Sequence, residues 1–118
     1  MAASPSHFWR WAIAAGGLSG LLRLRFVFAP IGPDEGGFLA IARAWRHGGD
    51  LYGDVWVDRP QGMLILYRVY DMVSFGNEDL VPLLALLFGA VAVVAVAAAV
   101  RAVSSPDAGI IAGVLMAV

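Results

Sequence analysis

Residues 80–100 have the sequence LVPLLALLFGAVAVVAVAAAV, which contains no charged side chain. A helix of about 20 residues rises about 30 Å, the thickness of the hydrocarbon core of a bilayer. Pro82 falls in the first turn, where its missing N–H group costs little. Arg101 follows the run directly. We therefore predict that residues 80–101 form a transmembrane helix.

The composition of the chain also indicates lipid surroundings. Of the 118 residues, 60% are hydrophobic and 14% are charged. Globular domains average about 45–50% apolar residues and about 25% charged residues. The net charge is −1 and no basic run is present, so the chain offers no surface for nucleic acid. It has no cysteine, which excludes disulfides, thiolate metal sites and cysteine nucleophiles.

A second apolar block spans residues 8–30, and we predict that 1–30 contains the first transmembrane helix. Arg10, Arg23 and Arg25 lie towards its ends, where long side chains can reach the membrane interface. A cleaved signal peptide is the alternative. The two later arginines interrupt the approach to a cleavage site, so the uncleaved span is favoured.

Residues 102–118 are predicted to be a short loop and a truncated third transmembrane helix. The apolar part, 108–118, rises only about 16 Å, which is half a bilayer. Asp107 could cap this helix. A helix that stops in mid-membrane predicts that the chain is the amino-terminal fragment of a longer protein, whose further transmembrane helices would be its partners.

The polar insert 31–79 carries most of the acidic residues. Pro33 and Asp34 predict the start of an amphipathic helix on the membrane surface, and Gly48 with Gly49 predicts its end. Its apolar face has residues at helical spacing: Phe38, Ile41, Ala42 and Trp45.

A second helix is predicted over 61–75, and 55–57 is predicted to be extended. The helix is apolar nearly all round, so it should be buried in the interface or against other helices. Arg68 and Asp71, three residues apart, could pair on its one polar side. The prediction for the whole chain is an all-α membrane protein with two complete transmembrane helices, a partial third, and a loop with amphipathic interfacial helices.

Two sites in the insert could carry chemistry. Asp34 and Glu35 follow the first span at headgroup depth, where partial desolvation raises the basicity of a carboxylate, which could then deprotonate a hydroxyl. Arg59, between Asp58 and Pro60, could bind a lipid phosphate. On spacing alone, a helix cap and a snorkelling or Asp58-paired arginine are the favoured interpretations.

Other residues have weaker functional interpretations. His47 could be a base or ligand, although polar surface is favoured. Tyr52 could stack on a sugar, as could Trp45 and Trp56, but interfacial anchoring is favoured. Asp34, Asp54 and Asp58 could hold a divalent cation, the one candidate cofactor, but no histidine or cysteine supports that site.

The insert resembles the first loop of the GT-C glycosyltransferases, in particular the branch of protein O-mannosyltransferases and aminoarabinose transferases. The resemblance covers about residues 29–60. It rests on an Asp-Glu pair after the first span, an amphipathic helix, a Gly-x-x-Tyr-x-Asp turn and an Arg-Pro step. The residues that carry it are Asp34, Glu35, Gly49, Tyr52, Asp54, Asp58, Arg59 and Pro60.

The resemblance implies a hexosyl or pentosyl transferase that takes its sugar from a polyprenyl-phosphate-linked donor, with inversion at the sugar carbon. Asp34 would be the catalytic base and Glu35 an accessory carboxylate. Arg59 would meet the donor phosphate, with Asp58 and Tyr52 beside it in the substrate site. Family members have many more spans, so the 118 residues alone are expected to be inactive.

The resemblance also implies a multi-pass protein of the cell membrane with the loop 31–79 outside the cytoplasm. The arginine distribution would favour the opposite orientation, since four arginines lie in this loop. We follow the resemblance, because functional arginines in a loop close to the membrane can violate the charge rule. One departure from the family pattern is Gln61-Gly62, where a second proline and an apolar residue are usual.

Overall fold

The computed structural model describes residues 5–55 and 58–118, which form five α-helices. In chain order these are α1 (Pro5–Val27), α2 (Pro33–Arg46), α3 (Gln61–Val73), α4 (Val81–Val103) and α5 (Pro106–Ala117). One turn of 3₁₀ helix, Glu78–Leu80, precedes α4. The described residues form no strand beyond an isolated bridge between Leu51 and Val55. The all-helical prediction is thus confirmed.

The chain forms two compact units. The first contains Met1–Phe28 and Ala85–Val118, and the second contains Ala29–Leu84. In the first unit, α1, α4 and α5 pack through two small apolar clusters. Their buried members are Phe8, Ala12 and Ala97 in one cluster, and Ala15, Val93 and Ala117 in the other.

Small residues let the helices of the first unit approach closely. A Cβ atom on Gly109 would lie 2.6 Å from the carbonyl oxygen of Ala97, and one on Gly16 would lie 3.0 Å from the carbonyl oxygen of Ala90. Such close backbone approach at small residues is typical of helix packing in membranes, where water does not drive apolar side chains together.

The segment Glu78–Val103 has the length and apolarity of a membrane span, and it is the one such helix among the described residues. Only 11% of its most apolar stretch is buried, so the rest of the chain does not enclose it as it would a core helix. The helix α1 has the length, with 23 residues, but it carries three arginines. The helix α5 is apolar but has 12 residues.

The second unit is built on the packing of α2 against α3. Their shared core contains Leu39 and Tyr70, and the first residue of α4, Val81, packs with them. The helix α2 ends at Arg46, and Gly48 turns the chain with a φ of +102°, which favours glycine. The helix α3 ends two residues short of the predicted boundary, because the chain turns through Phe75 at a φ of +54°.

The apolar face of α2, predicted to lie on the membrane surface, instead packs against α3. Ala42 is completely buried, and the ring of Phe38 lies 5.7 Å from the ring of Tyr67. Trp45 is covered by the guanidinium of Arg68 at 4.6 Å. The periodicity of α2 identified a buried face correctly but could not identify what covers it.

The prediction that Asp107 caps α5 is wrong. The Oγ atom of Ser105 accepts a hydrogen bond from the backbone N–H of Ala108 at 3.2 Å, so the serine is the cap. Pro106 occupies the first helical position, so the cap lies two residues before the predicted one and Asp107 falls in the first turn.

Candidate functional site

The acidic pair Asp34 and Glu35 lies in the first turn of α2, where backbone N–H groups without helical partners favour anions. The Oε2 atom of Glu35 accepts a hydrogen bond from the backbone N–H of Gly32 at 3.0 Å, which caps the helix. Asp34 is exposed, and its carboxylate has no hydrogen bond or ion pair within residues 5–55 and 58–118. The two acids therefore differ: Glu35 is used structurally, and Asp34 is open to a ligand.

The turn at 50–55 closes around Asp50. Its carbonyl oxygen accepts hydrogen bonds from the N–H groups of Gly53, Asp54 and Val55, and the Asp54 carboxylate accepts one from the Asp50 N–H at 3.1 Å. This bonding uses Asp54 within the turn. The extended stretch predicted at 55–57 falls mostly outside the described residues, which omit positions 56 and 57.

Tyr52 joins this turn to the Arg59 loop. Its backbone adopts a left-handed conformation with a φ of +69°, and its hydroxyl donates a hydrogen bond to the carbonyl oxygen of Arg59 at 2.8 Å. The bond restrains the backbone of the predicted phosphate-binding residue. Tyr52 therefore has a clear positioning role, whether or not it also contacts a sugar.

The Arg59 side chain extends to the side of α2. Its guanidinium carbon lies 6.0 Å from the centre of the Phe38 ring, at the outer limit of a cation–π contact. Asp58 approaches it only loosely, with Nη1 to Oδ2 at 3.8 Å, and both side chains are at least half exposed. Because Phe38 follows Asp34 by four residues, it lies one turn further along the same side of α2.

Tyr67 on α3 faces Phe38 from the neighbouring helix. It was not among the residues that the sequence indicated as functional. Its ring packs against Phe38 and, at 5.9 Å, against the ring of Tyr70. Burial raises the pKa of Tyr67, and the negative charge of Glu35 raises it further. A tyrosine on an apolar helix is usually assigned to the core, so the sequence held no signal that Tyr67 meets α2 at Phe38.

A buried ion cluster joins α2 to α3 elsewhere in the second unit. Asp71 is completely buried, and its Oδ1 accepts a hydrogen bond from Arg43 Nε at 2.9 Å. Arg46 Nε lies 2.7 Å from Asp71 Oδ2, close enough for an ion pair but poorly directed for a hydrogen bond. Arg43 also donates to Glu78 at 3.0 Å and to the carbonyl oxygen of Gly76 at 3.1 Å.

In this cluster, the neighbouring charges lower the pKa of Asp71 by more than burial raises it. Burial alone raises the pKa of Asp71, but the hydrogen bond from Arg43 and the charges of both arginines bring it below its ordinary value. The hydrogen bond to Asp71 in turn raises the pKa of Arg43 against the effect of burial. Asp71 is therefore a carboxylate and Arg43 a cation at neutral pH.

The predicted pair of Arg68 with Asp71 is wrong. Asp71 binds the two arginines of α2 instead, and Arg68 stacks on Trp45 of the same helix. Both side chains turn towards α2, because an interhelical contact can bury the carboxylate with two cations at once. The spacing within α3 carried no information about this partner.

The described residues contain no group of three histidines or acids that could hold a metal ion, so Asp34, Asp54 and Asp58 do not form the cation site considered from the sequence. The Nε2 atom of His47 lies 3.3 Å from Arg46 Nη2, at the end of α2. That contact agrees with the surface role favoured for the histidine.

Comparison of the chain with protein-family models, with curated proteins and with solved structures finds no match in any of the three.

Proposed function

We propose that this chain belongs to a membrane glycosyltransferase of the GT-C type. The enzyme would move a hexosyl or pentosyl group from a polyprenyl-phosphate-linked donor to an acceptor hydroxyl at the extracytoplasmic face. One observation carries the proposal: Asp34, an exposed carboxylate without a partner among the described residues, lies one helical turn before Phe38, and the loosely paired guanidinium of Arg59 lies 6.0 Å from the Phe38 ring.

These two groups suit the acceptor side and the donor side of a sugar transfer. Asp34 takes the proton of the acceptor hydroxyl while the acceptor oxygen attacks the anomeric carbon. The bond from that carbon to the phosphate oxygen breaks, and Arg59 stabilises the negative charge left on the polyprenyl phosphate. Glu35 keeps the first turn of α2 closed, and Tyr52 holds the Arg59 backbone in place.

The proposal includes a multi-pass arrangement in the cell membrane. The helices α1 and α4 would both span the bilayer, with the loop 31–79 outside the cytoplasm. The apolarity of Glu78–Val103 supports the second of these spans. In α1 the arginines lie near the helix ends, where their side chains can reach the headgroups.

The test is a sugar-transfer assay on membranes that contain the natively expressed protein. The donors are a panel of radiolabelled polyprenyl-phosphate hexoses and pentoses. Asp34→Asn should lower the rate of polyprenyl phosphate release by about 10²–10⁴-fold, the usual contribution of a general base. Asp79→Asn, at another exposed acid of the same unit, is the matched control and should leave the rate unchanged. Normal turnover in Asp34→Asn would refute the assignment of Asp34.

Arg59→Gln separates donor binding from base catalysis. If Arg59 meets the donor phosphate, this change should raise the KM for the donor and weaken inhibition by the product polyprenyl phosphate. Arg68→Gln is the control, because Arg68 is engaged with Trp45. Equal donor KM values in Arg59→Gln and the unaltered protein would remove Arg59 from the proposal.

A second candidate is a small non-catalytic membrane subunit, or a remnant, that binds the helices of a partner. It is favoured by the large apolar side chains exposed on α4 and α5, such as Val91 at 65% and Leu115 at 70%. Recovery of a stable heteromer from detergent extracts, with no sugar release from any donor in the panel, would support it. Degradation of the chain without a partner would exclude it.

A further inference from the structure

The exposed side chains of α3 are mostly apolar, whereas a helix that faces water exposes polar side chains. From Met63 to the end of the helix every exposed residue is hydrophobic, and so is Phe75 just beyond it. We call this set the outer face of α3. Its members are Ile65 (50% exposed), Val69 (46%), Met72 (53%), Val73 (53%) and Phe75 (94%).

The two charged residues of α3 turn towards α2. Asp71 is completely buried between Arg43 and Arg46, and Arg68 lies over Trp45. Apolar side chains outside and paired charges inside are what a hydrocarbon environment selects, because a charge is tolerated there only with a partner. In water, the outer positions would favour charged side chains.

The packing of the second unit places α3 beside the start of the candidate span. Val81, the first residue of α4, is buried against Leu39 and Tyr70. The span Glu78–Val103 has 26 residues, which rise about 39 Å and exceed the roughly 30 Å of the hydrocarbon core. The charged residues Glu78 and Asp79 stand at its start, which favours headgroup depth for the first turn, and α3 packs beside that turn.

We infer that the outer face of α3 inserts into lipid at the boundary between headgroups and acyl chains. Beyond its first turn, α2 exposes only small side chains, at Gly37, Ala40 and Ala44, and no large hydrophobic residue, so we expect this surface to face water. The ion cluster around Asp71 lies between these two surfaces. This assignment holds whether or not Asp34 is a base.

The absence of cysteine allows a direct test by site-directed spin labelling. Single cysteines at Val69 and Met72 sample the outer face, and Ala40→Cys on α2 is the matched control in the same unit. Each full-length variant is labelled with a nitroxide and reconstituted in vesicles of phosphatidylcholine and phosphatidylglycerol. Collision rates are then measured with oxygen, which partitions into lipid, and with a water-soluble nickel chelate.

The inference predicts a ratio of oxygen to nickel collisions several-fold higher at Val69 and Met72 than at Ala40. A ratio equal to that at Ala40 would mean that water covers the outer face and would overturn the inference. Immobilised labels at Val69 and Met72 that neither reagent reaches would also overturn it, because they would show a protein partner on this face. Native circular dichroism of each labelled variant ensures that the labels report the folded chain.

Discussion

At the scale of single residues, Asp71 forms the ion pairs that join α2 to α3 in the second unit. It is a completely buried carboxylate with two arginines of another helix within 3 Å. Removing one member of a buried ion pair leaves the remaining charges without compensation, which costs more than the pair itself contributes. Both arginines are about one-third exposed, so water can recover part of that cost.

Replacing Asp71 by asparagine should therefore destabilise the second unit by about 3 kcal/mol, the lower end of the range for a broken buried pair. The expected readout in detergent is a lower unfolding temperature and faster proteolysis between α2 and α3. Asp79→Asn removes an exposed carboxylate and should have little effect. If both variants unfold alike, the cluster does not hold the two helices together.

The same residue predicts a pH dependence. Because the pKa of Asp71 is lower in the folded chain than the unfolded value of about 3.9, its contribution to stability is complete above that value. The contribution is lost as the pH falls through the folded pKa. Melting temperatures of the unaltered protein and Asp71→Asn should differ by a constant amount from pH 8 to pH 5 and converge in stronger acid. A difference that shrinks between pH 7 and pH 5 would contradict this.

At the scale of helices, the two units pack by different means. The helices α2 and α3 are joined by aromatic contacts and an ion cluster, whereas α1, α4 and α5 approach through glycine and alanine. Gly109 and Gly113 lie four residues apart on α5, and both face Ala97. A close approach of this kind leaves no room for a larger side chain, so it can be tested by adding one methyl group.

Gly109→Ala should destabilise the first unit by about 1–3 kcal/mol, the usual cost of overpacking, because the new Cβ atom would meet a backbone oxygen. Gly89→Ala on α4 is the matched control, since nothing lies within 4 Å of its Cβ position. That change should be neutral or stabilise the helix by up to about 1 kcal/mol. Thermal melting in detergent measures both. Equal melting temperatures would argue against the close packing.

At the scale of the whole molecule, Glu78–Val103 is the segment that relates the chain to a membrane. A crossing there would put the loop 31–79 and residues 104–107 on opposite sides of the bilayer. The proposed orientation places the loop 31–79 outside the cytoplasm, although its arginines would favour the inside by charge alone. The side of the membrane on which this loop lies can be tested directly.

Single cysteines at Asp58 and Ser104 should react with a membrane-impermeant maleimide from opposite sides of sealed vesicles. In right-side-out vesicles we expect Asp58→Cys to be labelled at once and Ser104→Cys only after permeabilisation with detergent. Labelling of both without detergent would contradict a crossing at Glu78–Val103. The reverse order would retain the crossing and reverse the proposed orientation.

Several features were predictable because they depend on local chemistry. The apolar run at 80–100 predicted α4, and Gly48 predicted the end of α2, since each signal acts within a few residues. The acidic pair was placed in the first turn of α2 for the same reason. The cap of α5 was predicted two residues too late, because Pro106 and Ser105 together define the start of that helix.

The sequence by itself determined the helical class, the positions of the helices and the composition of a membrane span, because hydrophobic periodicity, glycine and proline act along the chain. Only the tertiary structure decided which side chains meet across helices. It paired Asp71 with Arg43 and Arg46 rather than with Arg68, set Tyr67 against Phe38, and turned the apolar side of α3 outward. Such contacts depend on how two helices rotate against each other, which no spacing within one helix encodes.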